Sequence, residues 1–227
     1  MSPALALVAN PPDSDAATID RYRRLAGIYD DRWRCYNERT LTEALDGLQL
    51  SGTKRILDVG CGTGELERLA LARFHAPQIV GIDLSPTMLA IARVKLAAVP
   101  SVRFEVAHAE ALPFEPDTFH VVICASMLHH ATQPDQVVQE CARVLRPSGQ
   151  LVLVDWCWDF WRNRLMHWWL QTTDRTYSRM LRADEMQCLL TAEGLVIERV
   201  SRFIAPPAYG MMRIVAKKPS ENEKRSR

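Results

Sequence analysis

Between Leu57 and Gly64 the chain reads LDVGCGTG: an apolar strand-like run breaks into glycine at every second position and passes straight into a helix-like run from Glu65. Glycine in such a turn bends the backbone tightly and admits a ligand with no Cβ in the way. The spacing separates candidate ligands. The loop is GxGxG and not the GxGxxG of dinucleotide binders, and no Gly-Lys-Ser/Thr follows to grip a phosphate. Glu65 sets a carboxylate at the helix start, where a pyrophosphate would otherwise sit. A phosphate-free, positively charged cofactor fits better. About 20 residues beyond the turn, Gly81-Ile82-Asp83 ends a second apolar run, where an acid accepts both hydroxyls of a ribose. The alternative for Asp83 is a carboxylate at a helix start, stabilised by the dipole.

These residues need a scaffold that brings strand ends together. Strand candidates are Arg55–Val59, Gln78–Asp83, Val102–Ala107, Phe119–Ala125 and Gln150–Asp155, with helices at Glu65–Phe74, Pro86–Leu96 and Pro134–Leu145 between them. Strand–helix alternation of this kind predicts a parallel sheet covered on both faces, with ligands at its carboxyl edge. Ser85-Pro86 reads as a helix cap followed by the first helical position, and Arg146-Pro147-Ser148-Gly149 as a stop and turn. Further on come a helix near Asp184–Ala192, closed by Gly194, and strand candidates Leu195–Phe203 and Met211–Ala216. Residues 18–218 read as one domain. Its helical preface, 18–50, carries apolar residues at helical spacing, and a tryptophan-rich insertion occupies 156–182. Residues 1–17 and 219–227 read as flexible ends.

Composition narrows the function classes. The 227 residues are 48% hydrophobic and 24% charged with a net charge of +1, so a buried core is expected and no nucleic-acid partner is called for. No apolar run approaches the roughly 20 residues of a membrane-spanning helix. Cys35, Cys61, Cys124, Cys141, Cys157 and Cys188 form no CxxC pair, which fits neither a zinc site nor a disulfide framework and suggests reduced thiols in a cytoplasmic protein.

Taken together, Leu57–Gly64, Gly81–Leu89 (GIDLSPTML), Ala109–Phe114 (AEALPF), Ser126–His130 (SMLHH) and Arg143–Val152 (RVLRPSGQLV) resemble the class I S-adenosylmethionine-dependent methyltransferases, especially the group similar to the quinone-biosynthesis C-methyltransferases. The resemblance implies an α/β fold: a Rossmann-like seven-stranded sheet, mostly parallel with an antiparallel last strand, preceded by helices. It implies S-adenosylmethionine as cofactor and a small, largely apolar acceptor, with Asp58, Gly60, Cys61, Gly62 and Gly64 around the methionine part. Asp83 would then hold the ribose, Leu84 and Met88 the adenine faces, and Ala109 and Glu110 the adenine edge, with Ala125 and Ser126 completing the pocket. Where the family commonly carries Asp or Asn before the Ala-Glu pair, this chain has His108, which either accepts a bond from the adenine amino group or faces solvent.

The acceptor side is less specified. His129 and His130 are candidates for the base that raises the nucleophilicity of a phenol, an enol or an activated carbon; the alternative is that one caps the following segment and the other packs or is solvated. Tyr29-Asp30, placed at the end of the first predicted helix, resembles a Tyr-Asp pair that precedes the core in many relatives, and Tyr22, a heptad earlier, shares its face. Either tyrosine could bind cofactor or acceptor. Trp158, Trp161, Leu165 and Trp168 form one helical stripe. That stripe is core, or the lining of an acceptor pocket, or a peripheral membrane contact, with the pocket favoured. A non-catalytic protein that binds the cofactor is the opposing functional class. Oligomeric state is not legible.

Overall fold

The structure, a computed structural model, describes residues 14–48, 54–75 and 77–225. The apolar runs between residues 55 and 156 become parallel strands, and the central ones are covered on both faces. In β1 (Arg55–Val59), β2 (Gln78–Asp83), β4 (Phe119–Ala125) and β5 (Leu145–Trp156), successive side chains enter two different cores. Leu57, Val59, Val122 and Cys124 pack against α5 (Pro134–Val144) and α7 (Ala183–Ala192). Ile56, Val121 and Ile123 pack against α2 (Tyr29–Leu45) and α3 (Glu65–Arg73). β3 (Val102–Val106), β6 (Val196–Ala205) and β7 (Tyr209–Lys217) complete a seven-stranded sheet of order β3-β2-β1-β4-β5-β7-β6. β7 is antiparallel to both neighbours and the remaining strands run the same way, as expected. The order reverses between β1 and β4, which leaves a crevice at their carboxyl ends.

Local chemistry sets the element ends. Ser85 caps α4 (Pro86–Lys95) by accepting from the Met88 N–H, with Pro86 in the first turn. Lys218 donates to the carbonyls of Ala142 and Leu145 at the end of α5, a favourable place for a cation. The turn expected at residues 146–149 is instead an irregularity inside β5. Leu145 already pairs with Phe119, and Ser148, at φ 64°, absorbs the shift before Gln150 rejoins Val121.

The ends of the chain differ from expectation. α1 (Ser14–Leu25) begins four residues before the predicted boundary, and α8 (Glu221–Arg225) occupies the predicted tail, tied down by the Lys217–Glu223 ion pair. A 3-10 turn over Ala26–Ile28 separates α1 from α2, so Tyr29-Asp30 opens the second helix and does not close the first.

The tryptophan segment is only partly helical: α6 spans Trp161–Thr173 and Trp158 precedes it. α6 also lies the other way out from a core stripe, because its buried positions are Asn163 and Leu170 while Trp161, Leu165 and Trp168 are exposed. Asn163 anchors it by donating to the carbonyls of Cys157 and Gly210 and accepting from the Gly210 N–H. Asn163→Ala would take from the buried Gly210 N–H its side-chain acceptor and leave the Cys157 and Gly210 carbonyls with only the Phe160 and Cys157 N–H groups as donors. At roughly 1–3 kcal/mol for an unsatisfied group, a loss of about 3 kcal/mol is expected in chemical denaturation. A loss below about 1 kcal/mol would show that α6 is docked by other means.

Candidate active site

The carboxyl ends of four strands meet under α1 and α2. The turn after β1 is tied to the end of β2 by the Gly60 and Cys61 N–H groups, both donating to the Ile82 carbonyl at 2.8 and 2.9 Å. Gly60, at φ 80°, allows no side chain, since a Cβ there would lie 2.7 Å from Met127. Gly62 at φ 54° turns its N–H onto Asp83 Oδ2 at 2.9 Å, and the Ser85 N–H donates to Oδ1 at 2.8 Å. Asp83 is therefore both a loop anchor and a cavity wall. Its two proposed roles, ribose acceptor and helix-start acid, are compatible.

One cavity collects most of the predicted cofactor residues: Asp58, Gly60, Cys61, Gly62, Asp83, Leu84, Met88, His108, Ala109, Glu110, Ala125 and Ser126. Gly64 is not among its lining. It opens α3 at φ 80° against Ala92 and Phe104, a packing position. Tyr22, Tyr29 and His130 close the same cavity from α1, α2 and the loop after β4. Tyr22 and Tyr29 meet edge-on at 6.0 Å because the chain breaks between them, not because one helix carries both. Asp30 clamps this lid: it accepts from Thr63 in the glycine turn and pairs with Lys95 of α4, which also pairs with Glu65.

The electrostatics are dominated by acids. Burial, and then the neighbouring Asp83, push the Asp58 carboxyl up to about 8. Burial also raises Asp83, opposed by N–H bonds from Ser85, Gly62 and Leu84. Glu67, on the buried side of α3, is raised well above its ordinary value, first by burial and then by Asp58, and neither of its oxygens has a hydrogen-bond partner. Sequence reasoning missed Glu67. The available signal was a carboxylate next to Leu66 and three residues before Ala70, on the apolar side of α3.

Two other expectations are resolved. His108 lines the cavity, but its Nδ1 accepts from the Glu110 N–H at 3.3 Å, which leaves an Nε2–H to donate to Asp15 at 3.0 Å. No ring nitrogen remains to accept from an adenine amino group. Asp15, missed because it fell in the predicted flexible end, supplies a carboxylate to the same wall. His129 is buried behind the cavity. Its Nδ1–H donates to Asp155 at 2.7 Å, its ring stacks on Trp156 at 3.9 Å, and it lines neither this cavity nor the second one beyond His130, a packed position away from any acceptor space. His130 donates from Nδ1 to the Thr176 carbonyl and accepts the Tyr22 hydroxyl at Nε2, each at 2.7–2.8 Å. Burial, and then His129, lower its pKa to about 3.

A second, wider cavity opens beyond His130, lined by Arg21, Arg24, Leu25, Arg32, Trp33, Asp174, Arg175, Thr176 and Tyr177 among others. His130 is the residue common to both cavities among the described residues. Trp158, Trp161 and Trp168, expected to bind the acceptor, line neither. Trp158 packs with Leu170, Tyr177 and Met180, while Trp161 and Trp168 face outward because Asn163 and Leu170 take the inner side of α6.

Residues 56–149, which hold β1 to β5 up to the sheet irregularity and the glycine turn, match the family described as methyltransferase domain. Over these residues the chain is similar to a methyltransferase domain. It is 33% identical over 149 residues to the demethylmenaquinone methyltransferase of Chlorobaculum tepidum, covering 65% of this chain and 59% of that protein. It is 41% identical over 108 residues to the ubiquinone biosynthesis O-methyltransferase of Paracidovorax citrulli, covering 46% and 44%. The chain thus spans less than two thirds of the length of these curated relatives. Among solved structures, a chain of the complex between the Haloferax volcanii Trm112 methyltransferase activator and a methyltransferase superposes with TM-score 0.78 at 19% identity, over 89% of this chain and 98% of that one. Haemonchus contortus phosphoethanolamine N-methyltransferase 2, solved with S-adenosyl-L-methionine, gives 0.68 at 16% identity, over 88% and 60%. At those identities the likeness is one of fold.

The site carries a built-in pH dependence. The Asp58 carboxyl, raised from 3.8 to about 8, keeps its proton over a range in which the unfolded chain has lost it. The folded state then binds more protons than the unfolded one, and this group makes the ligand-free protein less stable as pH rises through that interval. Asp58→Asn removes this group's part of the slope. It is expected to raise the Tm of the ligand-free protein by several degrees at pH 8, and by less at pH 5.5. Equal shifts at the two pH values in thermal melts would contradict the assignment.

Proposed function

We propose that this chain binds S-adenosylmethionine and transfers its methyl group to a small, apolar, quinone- or phenol-like acceptor. The observation that carries the reading is His130, shared by an acid-lined cavity and a wider cavity open beyond it. When bound, the cofactor supplies an electrophilic methyl on a positively charged sulfur, and in-line displacement needs chiefly correct placement of the nucleophile.

The chain's own residues suit that task. Asp58, buried with its proton retained, gains a reason to ionise when a cation enters. Asp83, held by two backbone N–H groups, keeps lone pairs for vicinal hydroxyls, and Asp15 takes the place at the adenine edge that His108 leaves vacant. The His130 Nε2 lone pair, directed at the Tyr22 hydroxyl, marks where an acceptor hydroxyl is oriented. With its pKa at about 3 it receives a hydrogen bond and does not store a proton. Leu25, Trp33 and Tyr177 give the second cavity an apolar patch beside Arg21, Arg24, Arg32 and Arg175, and the curated relatives' names carry quinone-type acceptors. The described cysteines are unpaired thiols, in keeping with a cytoplasmic setting.

Calorimetry tests the cofactor. S-adenosylhomocysteine is expected to bind and NAD is not; the reverse would overturn the reading. Asp83→Asn keeps one acceptor oxygen and should weaken S-adenosylhomocysteine by about 10- to 100-fold. Asp83→Ala is the poorer probe, because it strands the Gly62 and Ser85 N–H groups.

Catalysis is tested with a demethylated hydroquinone. His130→Ala should lower kcat/KM about 100-fold while S-adenosylhomocysteine affinity stays within about threefold. Tyr22→Phe frees Nε2 and should cost far less. Cofactor binding with no turnover of any such acceptor would favour the non-catalytic class.

A further inference from the structure

α6 presents an apolar face that nothing among the described residues covers. Trp161, Leu165, Trp168 and Trp169 are 65, 63, 67 and 63% exposed. The face is not one that a small rearrangement would bury, because the opposite side of the helix is already committed: Asn163 is bonded to the backbone at Cys157 and Gly210, and Leu170 packs with Tyr177 and Met180. The helix contains no acid. Its charged residues are Arg162 and Arg164, both exposed, with the Arg162 guanidinium over the Trp161 ring.

We propose that α6 seats the protein on an anionic lipid bilayer, with Trp161, Leu165, Trp168 and Trp169 at the depth of the headgroups and Arg162 and Arg164 against lipid phosphates. Indole has an apolar body and a polar N–H and concentrates at that depth, and an aromatic helix flanked by cations lies in the interface plane. Charge selects lipid over protein, since an acid-free, cationic helix complements an anionic sheet of phosphates and repels a second copy of itself. Area argues the same way. Three indoles and a leucine at this exposure offer roughly 500 Å², short of the roughly 800 Å² per partner of a stable protein pair. α6 ends at Thr173, next to Asp174, Arg175, Thr176 and Tyr177 on the wall of the second cavity. Seating α6 would therefore hold that cavity close to the bilayer, where an apolar acceptor concentrates. This last point rests on the acceptor reading; the membrane contact itself does not.

The test uses the full chain and vesicles of phosphatidylcholine with and without phosphatidylglycerol. Co-sedimentation with the anionic vesicles is expected, with a blue shift of tryptophan emission, and weakening in high salt. Trp161→Ala combined with Trp168→Ala should lower partitioning at least tenfold. Both side chains are exposed, so Tm and S-adenosylhomocysteine affinity should be unchanged. Arg162→Gln with Arg164→Gln should erase the preference for anionic over neutral vesicles. Absence of sedimentation at low salt would overturn the proposal, as would partitioning that survives the tryptophan substitutions. So would a dimer in light scattering that the same substitutions dissolve, which would make a second copy the occupant. Vesicle binding without catalysis would leave the membrane contact standing and count against the methyl-transfer reading alone.

Discussion

Asp58, Glu67 and Asp83 bring three carboxyl groups into the space between β1, β2 and α3 with no salt-bridge partner among the described residues, and the organisation of the site follows from how that charge is tolerated. Burying an ionised carboxylate without a partner is costly, so the group protonates or finds N–H donors. Both solutions are present. Asp83 is held by the N–H groups of Gly62 and Ser85, while Asp58 and Glu67 are raised toward their neutral forms. The cluster is therefore stable when empty only at the cost of retained protons, and a cationic ligand completes it. Glycine in the turn is part of the same constraint. Any side chain at Gly60 would strike Met127, and one at Gly81 would lie 2.5 Å from Glu67 Oε1.

The helices before the sheet are fastened to this cluster by charges of their own. Asp30 reaches Thr63 in the turn and Lys95 on α4, and Lys95 reaches Glu65 at the start of α3. One acid–lysine–acid bridge thus joins α2, α3 and α4 around the mouth of the cavity. Arg21 of α1 pairs with Asp174 beyond α6 and donates to Thr176, whose carbonyl takes the His130 proton. Closure over the cofactor cavity and the tautomer of His130 are in this way linked through a single short segment, 174–176.

How much of this was legible follows from which physics is local. The strand runs of β1, β2 and β4 and the caps at Ser85 and Pro86 depend on residues adjacent in sequence, and their limits match the structure residue for residue. So does the gathering of the loop residues at one sheet edge, which follows from parallel topology. What escaped depends on partners far along the chain. Periodicity marks Trp161, Leu165 and Trp168 as one stripe but not which way the stripe faces, and that is decided by Asn163 meeting Gly210, 47 residues away. His108 could not be assigned because Asp15, its partner, lies 93 residues earlier. His129 and His130 look equivalent as a pair. Asp155 and the Trp156 ring claim the first, leaving the second at the cavity.

That division between the histidines is itself a consequence of an aromatic column. His130 packs on His129 at 4.2 Å, His129 on Trp156 at 3.9 Å, Trp156 on Tyr209 at 5.6 Å, and Tyr209 approaches Trp33 at 6.2 Å. Tyr36 ties the column to the cofactor side, accepting from the Trp156 indole N–H while sharing a bond with Ser126. The column starts at His130 and ends at Trp33, and both line the second cavity. The position of the one polar ring at the join is therefore set by packing that crosses β5, β7 and α2, and not by the loop that carries it. Stacked rings with fixed hydrogen bonds lose little further freedom on ligand binding, so His130 is a preorganised partner for any group that reaches it. The exposed face of α6 takes no part in this column, which is why its aromatic residues can serve a surface without disturbing the site.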